Sequence, residues 1–276
     1  MMVAQFAEDL WIAEGEIVNF YGFAYPTRSV IIRLSDGSLW VWSPIRLTGD
    51  LKDEVLKLGQ PAHFVSPNKI HHLFLSAWHE AFPEAKLWGP RSTVGKRTDL
   101  PFETPLEDQP PLQWADRLDQ VWFNGSPILD EIVFFHRTTR TVILADLSEN
   151  FSDRFLNENW KPWQRWIAKR WGIVEGCGYA PLEWRLTFFD RKATRRARNR
   201  MMAWDVERVI MAHGEIQYAG GRRFLEKAFR VGGLRCLERR RPGTAGMGQG
   251  QRLYRFAMLR LPERYSPGDG CFWMIH

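Results

Sequence analysis

The stretch "SPNKIHHLF", Ser66 to Phe74, follows the apolar run "AHFVS" (62–66) and carries two adjacent histidines. Consecutive side chains on a regular helix or strand point in different directions. His71 and His72 therefore read either as two metal ligands presented from an irregular turn or as ordinary loop residues. Two further apolar runs end in the same kind of group: "TVILAD" (141–146) in Asp146, and "VERVIMAHG" (206–214) in His213 followed by Gly214. Side chains at separate strand ends can converge on one edge of a sheet, and imidazole with carboxylate suits zinc, iron or manganese. Taken singly, a strand-terminal Asp also serves turns and caps, and a His before Gly is often structural. The joint pattern carries the signal, and spacing alone leaves both readings open.

Working outward, "TRSVIIRL" (27–34) and "LWVWS" (39–43) flank a Ser-Asp-Gly-Ser turn and predict a hairpin. Leu51, Val55 and Leu58 recur at helical spacing in 49–59, and Gly59 with Pro61 stops that helix. A helix is expected over 72–82 and a strand over 85–89. The proline- and charge-rich stretch 91–117 reads as a long loop. Strands are expected at 119–125, 130–136, 141–146 and 206–214. Helices are expected around "WKPWQRWIAKRW" (160–171), over 189–203 and over 220–230. Strands and helices in this order predict a layered α/β fold. Residues 1–236 read as one domain, and 237–276, with "RRRPGTAGMGQGQ" (239–251), as a partly disordered C-terminal appendage.

Composition narrows the function classes. The 276 residues, 45% hydrophobic and 25% charged, suffice for a sizeable core. The 14 tryptophans are expected largely at the rims of that core, where the indole N–H finds a partner. Net charge is +6, concentrated in "RKATRRARNR" (191–200) and in 222–241. That reads as a solvated helix face or as a phosphate- or nucleic-acid-binding surface. Three cysteines without CxxC spacing predict no disulfide framework. No apolar run reaches membrane-spanning length, and Glu8 and Asp9 stand where a signal peptide would be apolar, so a cytoplasmic protein without membrane contact is expected. P-loop, Rossmann and Gly-x-Ser-x-Gly signatures are absent from the sequence.

The segments "SPNKIHHLFL", "VILADLSENF" and "VIMAHG" resemble successive metal-site segments of the metallo-β-lactamase-fold superfamily. Within it, "DLWIAEGEIVNFYGFAYPTRSVIIRLSDGSLWVWSPIRLT" is similar to an uncharacterised bacterial domain-of-unknown-function family whose metal motif is degenerate; the likeness covers residues 8 to 232. The resemblance implies an αββα sandwich (α/β, or α+β in some schemes) with a site at one sheet edge. The superfamily's usual first motif is His-x-His-x-Asp-His. Here Pro67 and Lys69 stand for its first two histidines, His71 for the Asp and His72 for the last His. Asp146 matches the usual metal-bridging acid and His213 the final histidine. The middle histidine has no counterpart, with Asp130 and Glu131 as the nearby candidates.

One metal position thus loses its ligands, while the other keeps His71, His72, Asp146 and His213. This implies one divalent ion, zinc first, with iron or manganese as alternatives. The expected function is a mononuclear hydrolase of a small ester, thioester, lactone or amide, with Asp146 and Lys69 as catalytic residues and Lys69 stabilising an oxyanion or holding a substrate carboxylate. A non-catalytic binding or scaffold protein is the alternative, and an RNA-binding, nuclease-like protein the third reading. A small-molecule substrate is the expected partner, ahead of nucleic acid. His63, His79 and His136 are expected near the site or on the surface, and Asn68 and Asn150 to orient ligands or make turns.

Overall fold

Period-two burial on both faces of the strands shapes the molecule. A computed structural model describes residues 3–230. The first sheet has six strands in chain order: β1 (Val3–Ala7), β2 (Leu10–Phe20), β3 (Phe23–Arg33), β4 (Leu39–Trp42), β5 (Pro61–Val65) and β6 (Lys86–Trp88). The second is ordered β10 (Arg208–Met211), β9 (Thr141–Leu144), β8 (Glu131–His136) and β7 (Leu118–Phe123). Leu10, Ile12, Val30, Ile32, Trp40 and Trp42 of the first sheet meet Ile132, Phe134, Ile143 and Ile210 of the second in a shared core. The alternate residues face outward. Trp11, Ile31, Leu39, Val41 and Phe64 pack on Leu51 and Val55 of α1 (Gly49–Leu58) and on Leu75 and Trp78 of α2 (Leu75–Ala81). Val133, Phe135, Val142, Leu144 and Val209 pack on Ala197 and Met201 of α7 (Arg191–Met201) and on Phe224 and Leu225 of α8 (Gly221–Ala228). Each such side chain stabilises the fold by about 1.5–3 kcal/mol relative to exposure, and the outcome is the expected αββα sandwich.

The structure departs from the sequence-based expectations in several places. Two strands, β1 and β2, precede the expected hairpin, and β3 starts at Phe23. The 91–117 loop opens with a short helix, α3 (Arg91–Lys96). Between β9 and α7 lie α4 (Asp153–Asn159), α5 (Pro162–Trp171) and α6 (Leu182–Thr187), of which only the region of α5 was expected. Trp40, Trp42, Trp78 and Trp114 are fully buried rather than at the rim; the N–H of Trp78 donates to the Ile45 carbonyl. Cys177 is disulfide-bonded, where the sequence led us to expect no disulfide framework; Cys236 and Cys271 lie outside the described residues. So does the appendage expected at 237–276. No helix among the described residues is long and apolar enough to cross a membrane.

The pairing pattern positions the site. β4, β5 and β6 run parallel, as do β9 and β10. Parallel strands bring the loops at their C-terminal ends to one edge of the sheet. Ser43 comes directly after β4, the turn bearing His71 comes after β5, Asp146 lies just past β9, and His213 just past β10.

Candidate metal centre

The turn after β5 is built by Asn68. Its side-chain carbonyl accepts the backbone N–H of Ile70 at 2.9 Å and of His71 at 3.3 Å, an Asx-type turn. Its amide nitrogen donates to Asp146 Oδ2 at 2.7 Å and to Glu131 Oε2 at 3.1 Å. One side chain thus aims His71 and fixes the carboxylate that His71 faces.

His71, Asp146 and His213 converge, their nearest donor atoms all within 4.8 Å of one another. His71 Nε2 lies 3.4 Å from Asp146 Oδ2, and His213 Nε2 lies 3.4 Å from Asp146 Oδ1. The far nitrogen of each ring is held: His71 Nδ1 by Ser43 Oγ and His213 Nδ1 by the Pro26 carbonyl, both at 2.8 Å. A carbonyl only accepts, so Nδ1 of His213 carries a proton, which leaves Nε2 facing the centre. His71 Nε2 is buried with no hydrogen-bond partner. Two imidazole nitrogens and a carboxylate, one of those nitrogens buried without a hydrogen-bond partner, fit a divalent ion, and ligating histidines are ordinarily held through their other nitrogen in this way. Burial opposes ionisation of Asp146, but the two imidazoles beside it hold its carboxyl below the ordinary range.

His72 is placed elsewhere. Its Nδ1 accepts from Arg97 Nη1 at 3.0 Å, and its carbonyl accepts from the same nitrogen at 3.1 Å. Burial, then the charges of Lys96 and Arg97, push its pKa down to about 3. The four expected ligands therefore divide into a cluster of three and a histidine bonded to Arg97. Lys69 does not line the pocket at the centre; its carbonyl accepts from Lys96 Nζ. Neither Asp130 nor Glu131 joins the cluster. Asp130 accepts from Ser92 and from Trp122. Glu131 accepts the backbone N–H groups of Ala145 at 2.7 Å and Asp146 at 2.9 Å, fastening the end of β9. Burial, then the charge of Asp146, push the Glu131 carboxyl up to about 8 against the pull of those donors.

The remaining histidines lie away from the centre. His63 accepts from Trp88 Nε1 at 3.1 Å, and His136 bonds Thr139 Oγ1 at 2.8 Å. Both are buried, which lowers each pKa to about 4, and His79 sits half-buried on α2. Asn150 locks the loop behind His213, donating to the Glu215 carbonyl at 2.9 Å.

The centre floors an apolar pocket of about 160 Å³, walled by Phe23, Tyr25, Ile45, Phe74, Trp160 and Trp171 among others. Sequence reasoning missed Ser43, the carbonyl of Pro26 and the pocket carboxyl Glu149. Ser43 carries a signal only in position, directly after a strand parallel to the one that leads to His71. Its backbone is left-handed, at φ 48°, an uncommon state that concentrates at functional sites. Glu149 is buried and accepts from the Tyr25 hydroxyl at 3.5 Å. Burial, then the charges of Asp146 and Glu183, raise its pKa well above the ordinary value.

Residues 8–155 match the model of a family described as a domain of unknown function, DUF4336. That segment contains His71 and Asp146 but ends before His213. No curated protein matches the chain. Among solved structures, the chain is similar to a metallo-β-lactamase from Hirschia baltica, at 14% identity and TM-score 0.53 over 82% of this chain and 95% of that one. It is similar to the DIM-1 metallo-β-lactamase at 12% identity and TM-score 0.54, again over 82% and 95%. Rubredoxin oxygen:oxidoreductase from Desulfovibrio gigas aligns at 11% identity and TM-score 0.56, over 82% of this chain and 60% of its own. These likenesses are of fold.

Proposed function

Since the chain belongs to the DUF4336 family and has the metallo-β-lactamase fold, we propose that it is a hydrolase working with one divalent metal ion held by His71, Asp146 and His213. The observation that carries this reading is the bare, buried Nε2 of His71 facing the carboxylate and the second imidazole at the floor of an apolar pocket. Zinc is the first candidate; iron and manganese suit the same donors. Asn68 supports a single ion, because its amide occupies the outer side of Asp146 Oδ2 and bridges to Glu131. Bound there, the ion supplies Lewis-acid polarisation of a carbonyl oxygen and a lowered pKa for water.

The protein's own groups set the rest. Ser43 and the Pro26 carbonyl orient the imidazoles, and Glu131 and Asn68 hold Asp146 in place. Glu149 lines the same pocket as the centre, and its burial together with the neighbouring acids favours its protonated form, which can pass a proton to a leaving group. The aromatic walls exclude water and favour a substrate with an apolar acyl portion, an ester or thioester before a charged molecule. The test is hydrolysis of a p-nitrophenyl acyl ester by purified protein. Activity removed by a chelator, restored by zinc and lost in Asp146→Asn supports the reading. Turnover unchanged by chelator or by the substitution contradicts it.

A further inference from the structure

The aromatic segment 160–171 has two faces with different fates. Trp160, Gln164 and Ala168 are buried, and Ile167 and Trp171 line the pocket. Trp163, Trp166 and Arg170, spaced i, i+3, i+7, share the opposite face of α5. Trp163 is 54% exposed and Trp166 63%, with the Arg170 guanidinium over the Trp166 ring. α5 and its N-cap carry Lys161, Arg165, Lys169 and Arg170 and no acidic residue. Of the acids on α4, Asp153 is engaged by Lys169 and Glu158 by Arg154.

This face continues onto the tip of the β2–β3 hairpin and onto α6. Gln164 donates to the Gly22 carbonyl, and the Trp163 ring packs edge-on against Phe23. Arg185 of α6 donates to the Trp171 carbonyl. The hairpin tip presents Tyr21, 58% exposed, and α6 presents Leu186, 65% exposed. Tyr21 also lines the pocket, so the mouth opens at this surface.

From this geometry we propose that α5, the β2–β3 hairpin tip and α6 form a docking surface for a lipid bilayer bearing anionic headgroups, set around the pocket mouth. Exposed tryptophan with lysine and arginine on one helix face matches a bilayer interface, where the rings enter the headgroup–acyl boundary and the cations remain among the phosphates. A face buried against a second protein is ordinarily poor in lysine. This proposal departs from the expectation, drawn from the sequence, of no membrane contact. The docking surface is independent of the metal reading. Its consequence, a substrate with an acyl chain drawn directly from the bilayer into the pocket, rests on that reading.

The test is co-sedimentation of the full chain with phosphatidylcholine vesicles, with and without phosphatidylserine. The expected result is binding that requires phosphatidylserine, weakens with salt and falls about tenfold in Trp166→Ser. The paired charge reversal Lys161→Glu, Arg170→Glu should abolish it, with circular dichroism melts confirming that both variants fold. No binding to anionic vesicles, or equal binding by wild type and variants, overturns the proposal. So does a dimer in analytical ultracentrifugation that Trp166→Ser disperses, which would assign the face to a second copy. Tight binding of a single-stranded oligonucleotide without vesicle binding would assign it to nucleic acid and equally overturn the proposal. Metal content plays no part in these readouts, so a failure here is distinct from a failure of the hydrolase reading.

Discussion

At the scale of single residues, the centre depends on which of two neighbouring histidines faces it. His71 and His72 are indistinguishable in sequence, and alignment to the superfamily motif favours His72. The side each ring takes is decided by the Asn68 turn and by Arg97, 25 positions beyond His72, which captures its ring and carbonyl. Nothing local to "IHHL" encodes that capture. His71→Ala is therefore expected to lose zinc binding measured by competition with a chromophoric chelator. His72→Ala is expected to keep it, while losing about 1–3 kcal/mol of stability for the ring's hydrogen bond to Arg97. The reverse pattern would move the ligand role to His72. A second residue-scale outcome concerns His63 and His136, held in the fold at about 4 against the usual 6.5. The unfolded chain takes up these protons first as pH falls. The two rings therefore leave stability intact above pH 6.5 and erode it as pH drops from 6.5 towards 4. The urea midpoint of wild type should fall more steeply through that window than that of His63→Gln, His136→Gln; parallel slopes would contradict the assignment.

At the scale of elements, the strand ends that bear the site were readable because each is an apolar run closed by a polar residue. β8, β9 and β10 fell within a few residues of their expected bounds. β1 and β2 were missed because the outer half of β2, "EGEIVNF", is largely polar and half-exposed, and its pairing with β3 is interrupted by a bulge. α4 and α6 are too short to show a period, and α6 has no side-chain N-cap. The Gly after His213 was visible, but its reason was not. Gly214 has φ 93°, and a Cβ there would sit 2.3 Å from the Asn150 carbonyl, where the β10 end closes on the loop beyond Asp146. Gly214→Ala must open that contact and is expected to lower thermal stability and weaken metal binding together. A variant with unchanged melting temperature and metal affinity would show that the close approach does not position His213.

At the scale of the whole molecule, a layered α/β fold was legible in the order of strands and helices, and the αββα arrangement in the resemblance to the superfamily; the strands alternate between a shared inner core and two helix-covered outer faces. Their side chains fill both, as Trp40 and Val41 do on β4. How the two sheets bring parallel strand ends together was not legible, since no local period records which strands run parallel. That arrangement sets His71, from the first sheet, against Asp146 and His213, from the second, and makes a single centre from segments up to 142 residues apart. The central claim is that this meeting of sheets holds one ion. Elemental analysis of the full chain, purified without added chelator, tests it most directly. The account predicts about one equivalent of a divalent metal in wild type and none in His213→Ala. Wild type with no metal, or His213→Ala with its metal intact, would contradict it.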